Sequence, residues 1–236
     1  MGNDPGDCSG GIVDNGNRRP RGREDAGNVS EAGMTTPVDS QSSLEGLLKD
    51  EIVRMYQEVA DDPSKEFHFF HGREAAELFD YEPTWLDRAP GVAVNSFAGV
   101  GNPHLRSDIK SGETVVDLGS GAGLDSVIAS WMTGPTGQVI GVDLNPAMCL
   151  KSQATAAASS GKMECREGTM ENIPVPDASV DIVISNGVIN LSFRKRRVIE
   201  EMFRVLKPGG RISITDIVSA KQLSQSIVND PKLWAS

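Results

Sequence analysis

The feature that most constrains this chain is a short apolar run that ends in closely spaced glycines. Thr114-Val115-Val116-Asp117-Leu118 leads directly into Gly119-Ser120-Gly121-Ala122-Gly123, and a helical pattern follows from Leu124 to Met132. A run rich in β-branched residues, bounded by turn residues, reads as a buried strand. Glycines let the backbone turn tightly and approach a ligand closely. The helix behind them offers free N–H groups and the positive end of its dipole. Strand, glycine turn and helix in this order predict the opening of a Rossmann-like α/β unit with a ligand at the turn.

The alternation continues to the end of the chain. Gln138–Leu144 reads as a second strand, Asn145–Ser159 as a helix, Met163–Glu167 as a third strand and Val180–Ser185 as a fourth. Lys195–Leu206 reads as a helix, stopped by Lys207-Pro208-Gly209-Gly210, and Arg211–Asp216 as a fifth strand. This order predicts a parallel sheet with helices on both faces. Upstream, Leu44, Leu47, Leu48, Ile52, Met55, Tyr56 and Val59 recur at helical spacing, and residues 73–80 and 83–88 read as short helices. The expected division is a tail over 1–43, a small helical cap over 44–110 and the ligand-binding domain over 111–236. The tail is rich in Gly, Asn, Asp, Ser and Pro, has no aromatic residue, and is expected to be disordered. Its basic run, Arg18 to Arg23, is flanked by acids and reads as solvated. Met34 is expected to be the natural start.

Composition limits the partners. A net charge of −10 argues against a general nucleic-acid binder, which needs a basic surface to replace counterions. No apolar run approaches the roughly 20 residues that cross a bilayer, and the N-terminus has no apolar signal core. Three cysteines, Cys8, Cys149 and Cys165, match no zinc spacing and make no complete disulfide set. The expectation is a cytoplasmic protein acting on a small molecule, with neither nucleic acid nor membrane as partner.

The glycine spacing narrows the ligand. Dinucleotide sites use G-x-G-x-x-G, whereas this loop is G-x-G-x-G with Asp117 two residues ahead of it. S-adenosylmethionine (SAM) has no phosphate, and its methionyl ammonium calls for a carboxylate. Asp117 is expected to hold that end, with Gly119, Ser120, Gly121 and Gly123 shaping the loop. Asp143 ends the second strand with Leu144 beside it, and its two oxygens can take both ribose hydroxyls. Met170 is placed to pack on the adenine and Glu171 to accept from its amino group. Ser185 and Asn186 end the fourth strand, beside the expected position of the reactive methyl. The plainer alternatives are a structural glycine turn for the loop and a surface acid for Glu171.

The set of Asp117 to Gly123, Asp143, Met170-Glu171 and Leu206 to Gly210 resembles the class I SAM-dependent methyltransferases. Within them the chain is most similar to arsenite methyltransferases. That likeness rests on the glycine loop, Met170-Glu171-Asn172-Ile173-Pro174, Ser185-Asn186-Gly187-Val188-Ile189-Asn190-Leu191 and Gly99-Val100-Gly101-Asn102-Pro103. The resemblance implies methyl transfer from SAM to arsenite or a small-molecule acceptor. It also implies arsenic-binding cysteines at two positions that hold Val100 and Gly187 here, and at a third just after Leu233-Trp234-Ala235-Ser236. Cys149 and Cys165 read as packing residues on a helix and a strand. A non-catalytic SAM-binding relative is the alternative. No catalytic base stands out, and none is assigned. His68 and His71, with His104 as a third ligand, offer a metal site as an alternative, but packing or a hydrogen bond is their plainer use, with a base for an oxygen acceptor as another. Tyr56 and Tyr81 read first as buried packing, with a contact to the acceptor pocket as the other use. Relatives of this kind carry two further strands, one of them antiparallel. The sheet is therefore expected to lack them and to present its fifth strand as an open edge prone to self-association.

Overall fold

Among the described residues five strands form one sheet in the order β3-β2-β1-β4-β5, and every neighbouring pair is parallel. They are β1 (Thr114–Leu118), β2 (Gln138–Asp143), β3 (Met163–Glu167), β4 (Val180–Asn186) and β5 (Leu206–Thr215). In this computed structural model residues 37–62, 65, 67, 69–222, 224 and 230 are described. The expectations for residues 1–36, including the basic run, Met34 and Cys8, lie outside the described residues, as do those for His68 and residues 233–236.

The chain leaves β1 towards β2 on one side, and β4 joins β1 on the other. The direction of winding therefore reverses at β1, and a crevice opens at the carboxyl ends of β1 and β4. Successive side chains of a strand point to opposite faces, so Val115 and Val116 feed different cores. Val116, Leu118, Ile140, Val142 and Val183 meet Val198, Met202 and Val205 of α8 (Lys195–Val205). Val115, Val139, Ile182 and Ile184 meet Ala129 of α6 (Leu124–Thr133). A third helix, α7 (Pro146–Ala158), packs on β2 and β3.

Among the described residues five helices precede the sheet: α1 (Pro37–Asp61), α2 (Gly72–Leu78), α3 (Pro83–Arg88), α4 (Gly91–Asn95) and α5 (His104–Ser107). Helix α1 starts at Pro37, inside the stretch expected to be a tail. Proline suits the first helical position because its missing N–H has no partner there. Ala75, Ala76, Tyr81, Leu86, Val94 and Phe97 share one cluster with Leu124, Val127 and Ile128 of α6. The change at residue 110 is thus one of secondary structure, and packing runs across it.

The turn expected at Lys207-Pro208-Gly209-Gly210 lies inside β5. Val180 pairs with Leu206 and Ile182 with Arg211, so the four residues bulge out opposite Asp181. Lys207 Nζ donates to the Asp181 carboxylate across 2.8 Å, and Gly209 takes φ +83° at the crest. Among the described residues β5 has β4 as its one strand neighbour, and no helix is long and apolar enough to cross a membrane.

One buried carboxylate ties α8 to the loop before β4. Glu201 is 1% exposed and accepts from the Ile173 N–H and from Arg197 and Arg204 at 2.7–2.9 Å. The Arg204 guanidinium, then the Ile173 N–H, hold its carboxyl below the usual range against the opposing effect of burial. Removing one partner of a buried pair strands the others, at a cost of about 3 kcal/mol. Glu201→Ala is expected to lose about that much in urea unfolding at pH 7. A depressed folded value means the contribution is whole above the unfolded value of about 4.3 and is lost as pH falls through the folded one. The penalty should therefore shrink in strong acid. A penalty below about 1 kcal/mol at pH 7 would show the cluster to be dispensable.

Candidate functional site

The loop after β1 is held in a shape that only glycine adopts without strain. Gly119 has φ +69°, and a Cβ added there would lie 2.4 Å from Val188 Cγ1. Gly123 has φ +89° and serves as the N-cap of α6. The N–H groups of Gly119 and Ser120 donate to the Val142 carbonyl at 2.8 and 3.2 Å, folding the loop over the end of β2.

Asp143 secures the same fold from the other side. Its Oδ2 accepts from the Gly121 N–H and its Oδ1 from the Asn145 N–H, both at 2.8 Å. Burial pushes its carboxyl above the usual range, and the backbone N–H groups of Asn145, Gly121 and Leu144 oppose the shift in part. Asn145 caps α7 by accepting from the Ala147 N–H, and its Nδ2 donates to the Val53 carbonyl of α1. One short segment thus locks the glycine loop, the start of α7 and the cap helix together.

These elements surround a cavity of about 540 Å³ at the carboxyl ends of β1, β2 and β4. Gly119, Ser120, Gly121, Asp143, Leu144, Met170, Glu171 and Asn186, all singled out from the sequence, line it. Asp117, Gly123 and Ser185 do not. Asp117 is buried behind the loop and accepts from the Ser126 hydroxyl at 2.6 Å. Ser185 is fully buried, and its hydroxyl donates to the Leu118 carbonyl. Glu171 accepts from the Ser192 hydroxyl at 2.6 Å, and so is anchored rather than loose on the surface. Tyr56 of α1 also lines the cavity, and burial pushes its phenol up to about 12.

Sequence reasoning missed Asp125. It sits in the first turn of α6, where the helix dipole favours a carboxylate, and it lines the cavity. Its Oδ1 accepts from the Tyr81 hydroxyl at 2.5 Å and lies 3.0 Å from His104 Nε2. Its Oδ2 accepts from Asn186 Nδ2 at 3.1 Å. Burial, then the Asp125 charge, raises both Tyr81 and Asp117 well above their usual values. The available signal was spacing: Asp125 is two residues beyond the last glycine of the loop.

Asn186 orders the neighbouring loop. Its Oδ1 accepts from the Val100 N–H and the Thr215 hydroxyl, and its Nδ2 also reaches the Gly101 carbonyl and Tyr81. Gly187 and Val100 meet here, since a Cβ on Gly187 would lie 3.2 Å from both Val100 methyls. Cys149 and Cys165, read separately as packing residues, stand with their sulfurs 2.9 Å apart. His71 lies against Phe67 edge to face, and His104 serves the Asp125 cluster. Among the described residues no group of three His, Cys, Asp or Glu is placed to hold a metal.

A family model described as a methyltransferase domain matches residues 109–236, and the chain belongs to that family. It is 44% identical to an arsenite methyltransferase of Halobacterium salinarum over 134 residues, which are 56% of this chain and 34% of that protein. It is 36% identical to a ubiquinone/menaquinone biosynthesis C-methyltransferase of Salmonella arizonae over 113 residues, 47% of this chain and 45% of that one. Among solved structures, an arsenic(III) S-adenosylmethionine methyltransferase from Chlamydomonas reinhardtii superposes with a TM-score of 0.54 at 34% identity, over 68% of this chain and 53% of that one. The chain spans about a third of the length of the arsenite methyltransferases it matches. The α/β Rossmann-like fold read from the sequence is thus the fold of class I SAM methyltransferases, and the likeness to arsenite methyltransferases holds.

Gly119 is the position where the loop has least tolerance. Gly119→Ala is expected to cost about 2 kcal/mol in thermal or urea unfolding, from the left-handed backbone and the Val188 contact together. Wild-type stability in that variant would mean that the loop re-forms elsewhere.

Proposed function

We propose that this chain binds SAM in the cavity and directs its methyl group to a small acceptor, as a methyltransferase of the arsenite methyltransferase-like group. The observation that carries the reading is the gathering of the glycine loop, Asp143, Met170 and Glu171 around one space. A volume of about 540 Å³ lies within the range of small-molecule sites, about 300–1,000 Å³. When bound, SAM would supply an activated methyl on a sulfonium. The protein's tasks are to orient the two partners and exclude water.

On this reading Asp143 takes the ribose hydroxyls, Leu144 and Met170 flank the adenine, and Glu171 accepts from its amino group. Gly119, Ser120 and Gly121 present backbone to the methionyl end, with Gly123 holding the turn behind them. The carboxylate that faces the methionyl ammonium is Asp125. Asp117 stands behind it as the second, enclosed charge, and Ser185 supports β1 beneath Asn186. The helical cap of residues 44–110 contributes Tyr56, Phe97 and Gly99 to the wall and closes the cavity against water. The partners are small molecules rather than nucleic acid, in a cytoplasmic setting. The side of β5 that has no strand neighbour among the described residues offers a route to self-association, which a monomer in sedimentation at high concentration would remove.

The acceptor is arsenite or a small organic molecule. Val100 and Gly187 adjoin each other where the resemblance implies thiols, and this favours the organic acceptor or, second, a SAM-binding relative without turnover. Calorimetry with SAM and with NAD tests the cofactor. Arsenite with a thiol reductant, then hydroxyl and amine acceptors, test turnover. Binding of SAM and not NAD is expected. Binding of neither would overturn the proposal.

Asp143→Ala is expected to weaken SAM roughly 10- to 100-fold, the worth of about 1.5–3 kcal/mol for hydrogen bonds to a charged group. Affinity unchanged within about twofold would move the ribose elsewhere. Protonation removes acceptor capacity from Asp143, and burial raises its value. SAM affinity should therefore fall as pH drops through a value above the ordinary carboxylate range, and Asp143→Asn should flatten that dependence. A profile with the same midpoint in both forms would assign the titration to another group.

A further inference from the structure

The proposed function makes no use of the two cysteines behind the glycine loop. Cys149 lies in the first turns of α7 and Cys165 in the middle of β3, where its Cα pairs with Gly141. The Cys165 thiol donates to Cys149 Sγ at 2.9 Å, and the two residues are 16 apart in sequence. Bonding distance is about 2.05 Å, so the sulfurs need to approach by about 0.9 Å. Both also touch the wall of the cavity from outside. Ser120 Oγ is 3.7 Å from Cys165 Sγ, and Cys149 Sγ is 3.8 Å from the Asp143 carbonyl.

We propose that Cys149 and Cys165 form a reversible dithiol–disulfide site, closed by small disulfides such as oxidised glutathione, that adjusts ligand binding in the adjoining cavity. The adjustment rests on the SAM reading above. The cross-link does not.

The two thiols are unequal in the way such exchange needs. Cys165 is half-buried and Cys149 buried. Once Cys165 is ionised, the contact with Cys149, and with it the Ser120 hydroxyl, favours its thiolate against the effect of burial, while the same contact and burial disfavour the thiolate of Cys149. The reachable thiol is thus the one that ionises first, and the thiolate is the attacking species. Cys165 sulfur attacks one sulfur of the small disulfide and expels the other half as a thiolate. That thiolate takes the Cys149 proton, and Cys149 sulfur attacks Cys165 sulfur, expelling the second half. Two protein thiols are oxidised and one small disulfide becomes two thiol species. Closure removes the thiol that faces the Asp143 carbonyl, ends the thiolate partner of Ser120, and draws the start of α7 onto β3. Each change acts on a residue of the cavity wall.

The full chain, reduced and then incubated with oxidised glutathione, tests this by peptide mapping without reductant. A Cys149–Cys165 cross-linked peptide that dithiothreitol abolishes is the expected result. Glutathione adducts alone, or cross-links to Cys8 with Cys149 and Cys165 left apart, would overturn the site. SAM titrations of the two forms should then differ at least threefold, weaker when oxidised, and a C149S/C165S variant should give one affinity with or without oxidant. Equal affinities in forms shown to be open and closed would overturn the adjustment. Failure of both forms to bind SAM would instead reject the SAM reading, and with it the adjustment, and the peptide map would still decide the cross-link.

Discussion

The site depends on a carboxylate used as a structural acceptor. Asp143 ends β2 and spends one oxygen on the Gly121 N–H and the other on the Asn145 N–H. The first bond holds the turn after β1 and the second holds the entry to α7, so both walls of the crevice take their position from one side chain. Through Asn145 the same chain of contacts reaches Val53 and seats α1 over the opening. Bonds from backbone to a charged group are about twice as strong as neutral ones. They are strongest where water is excluded, and Asp143 stands half-buried in the cavity wall.

The sheet is legible in the sequence alone. The β-branched runs at Val115, Val139 and Ile182 belong to strands covered on both faces, and such strands read as nearly continuous apolar segments. The glycines at 119, 121 and 123 mark the crevice because all three take positive φ. What remained hidden depends on contacts remote in sequence. The place of Asp125 is set only where Tyr81, His104 and Asn186 converge on it from three other segments. Asp117 was assigned to the ligand because it precedes the glycines, yet the strand turns its carboxylate towards Ser126. Cys149 and Cys165 obeyed the packing rule for free cysteine one at a time, and only the docking of α7 on β3 made them a pair.

The bulge in β5 shows the same limit. Pro208 and Gly209-Gly210 signal a turn, and a turn is present. Leu206 nevertheless pairs with Val180 before it, so the strand begins earlier than the turn residues imply. Lys207 fills the gap by reaching Asp181; burial pushes that carboxyl up, but the Lys207 contact, the Thr114 N–H and the nearby positive charges together hold it below the usual range. Turn chemistry locates the irregularity, and pairing decides on which side of it the strand begins.

The electrostatics of the crevice point to the kind of ligand it suits. Asp117, Asp125 and Asp143 are enclosed around the end of one loop, and among the described residues neither Asp117 nor Asp143 has a Lys or Arg partner. Burying carboxylates without cations is unfavourable, and the raised values of Asp117 and Asp143 record that cost. An anionic ligand would add to it. A ligand carrying fixed positive charge would relieve it, and a sulfonium beside an ammonium carries two such charges. A nicotinamide dinucleotide would bring its pyrophosphate to the glycine loop, next to Asp143 and Asp125. The glycine spacing and the charge of the wall therefore favour the same class of cofactor for separate physical reasons, one steric and one electrostatic.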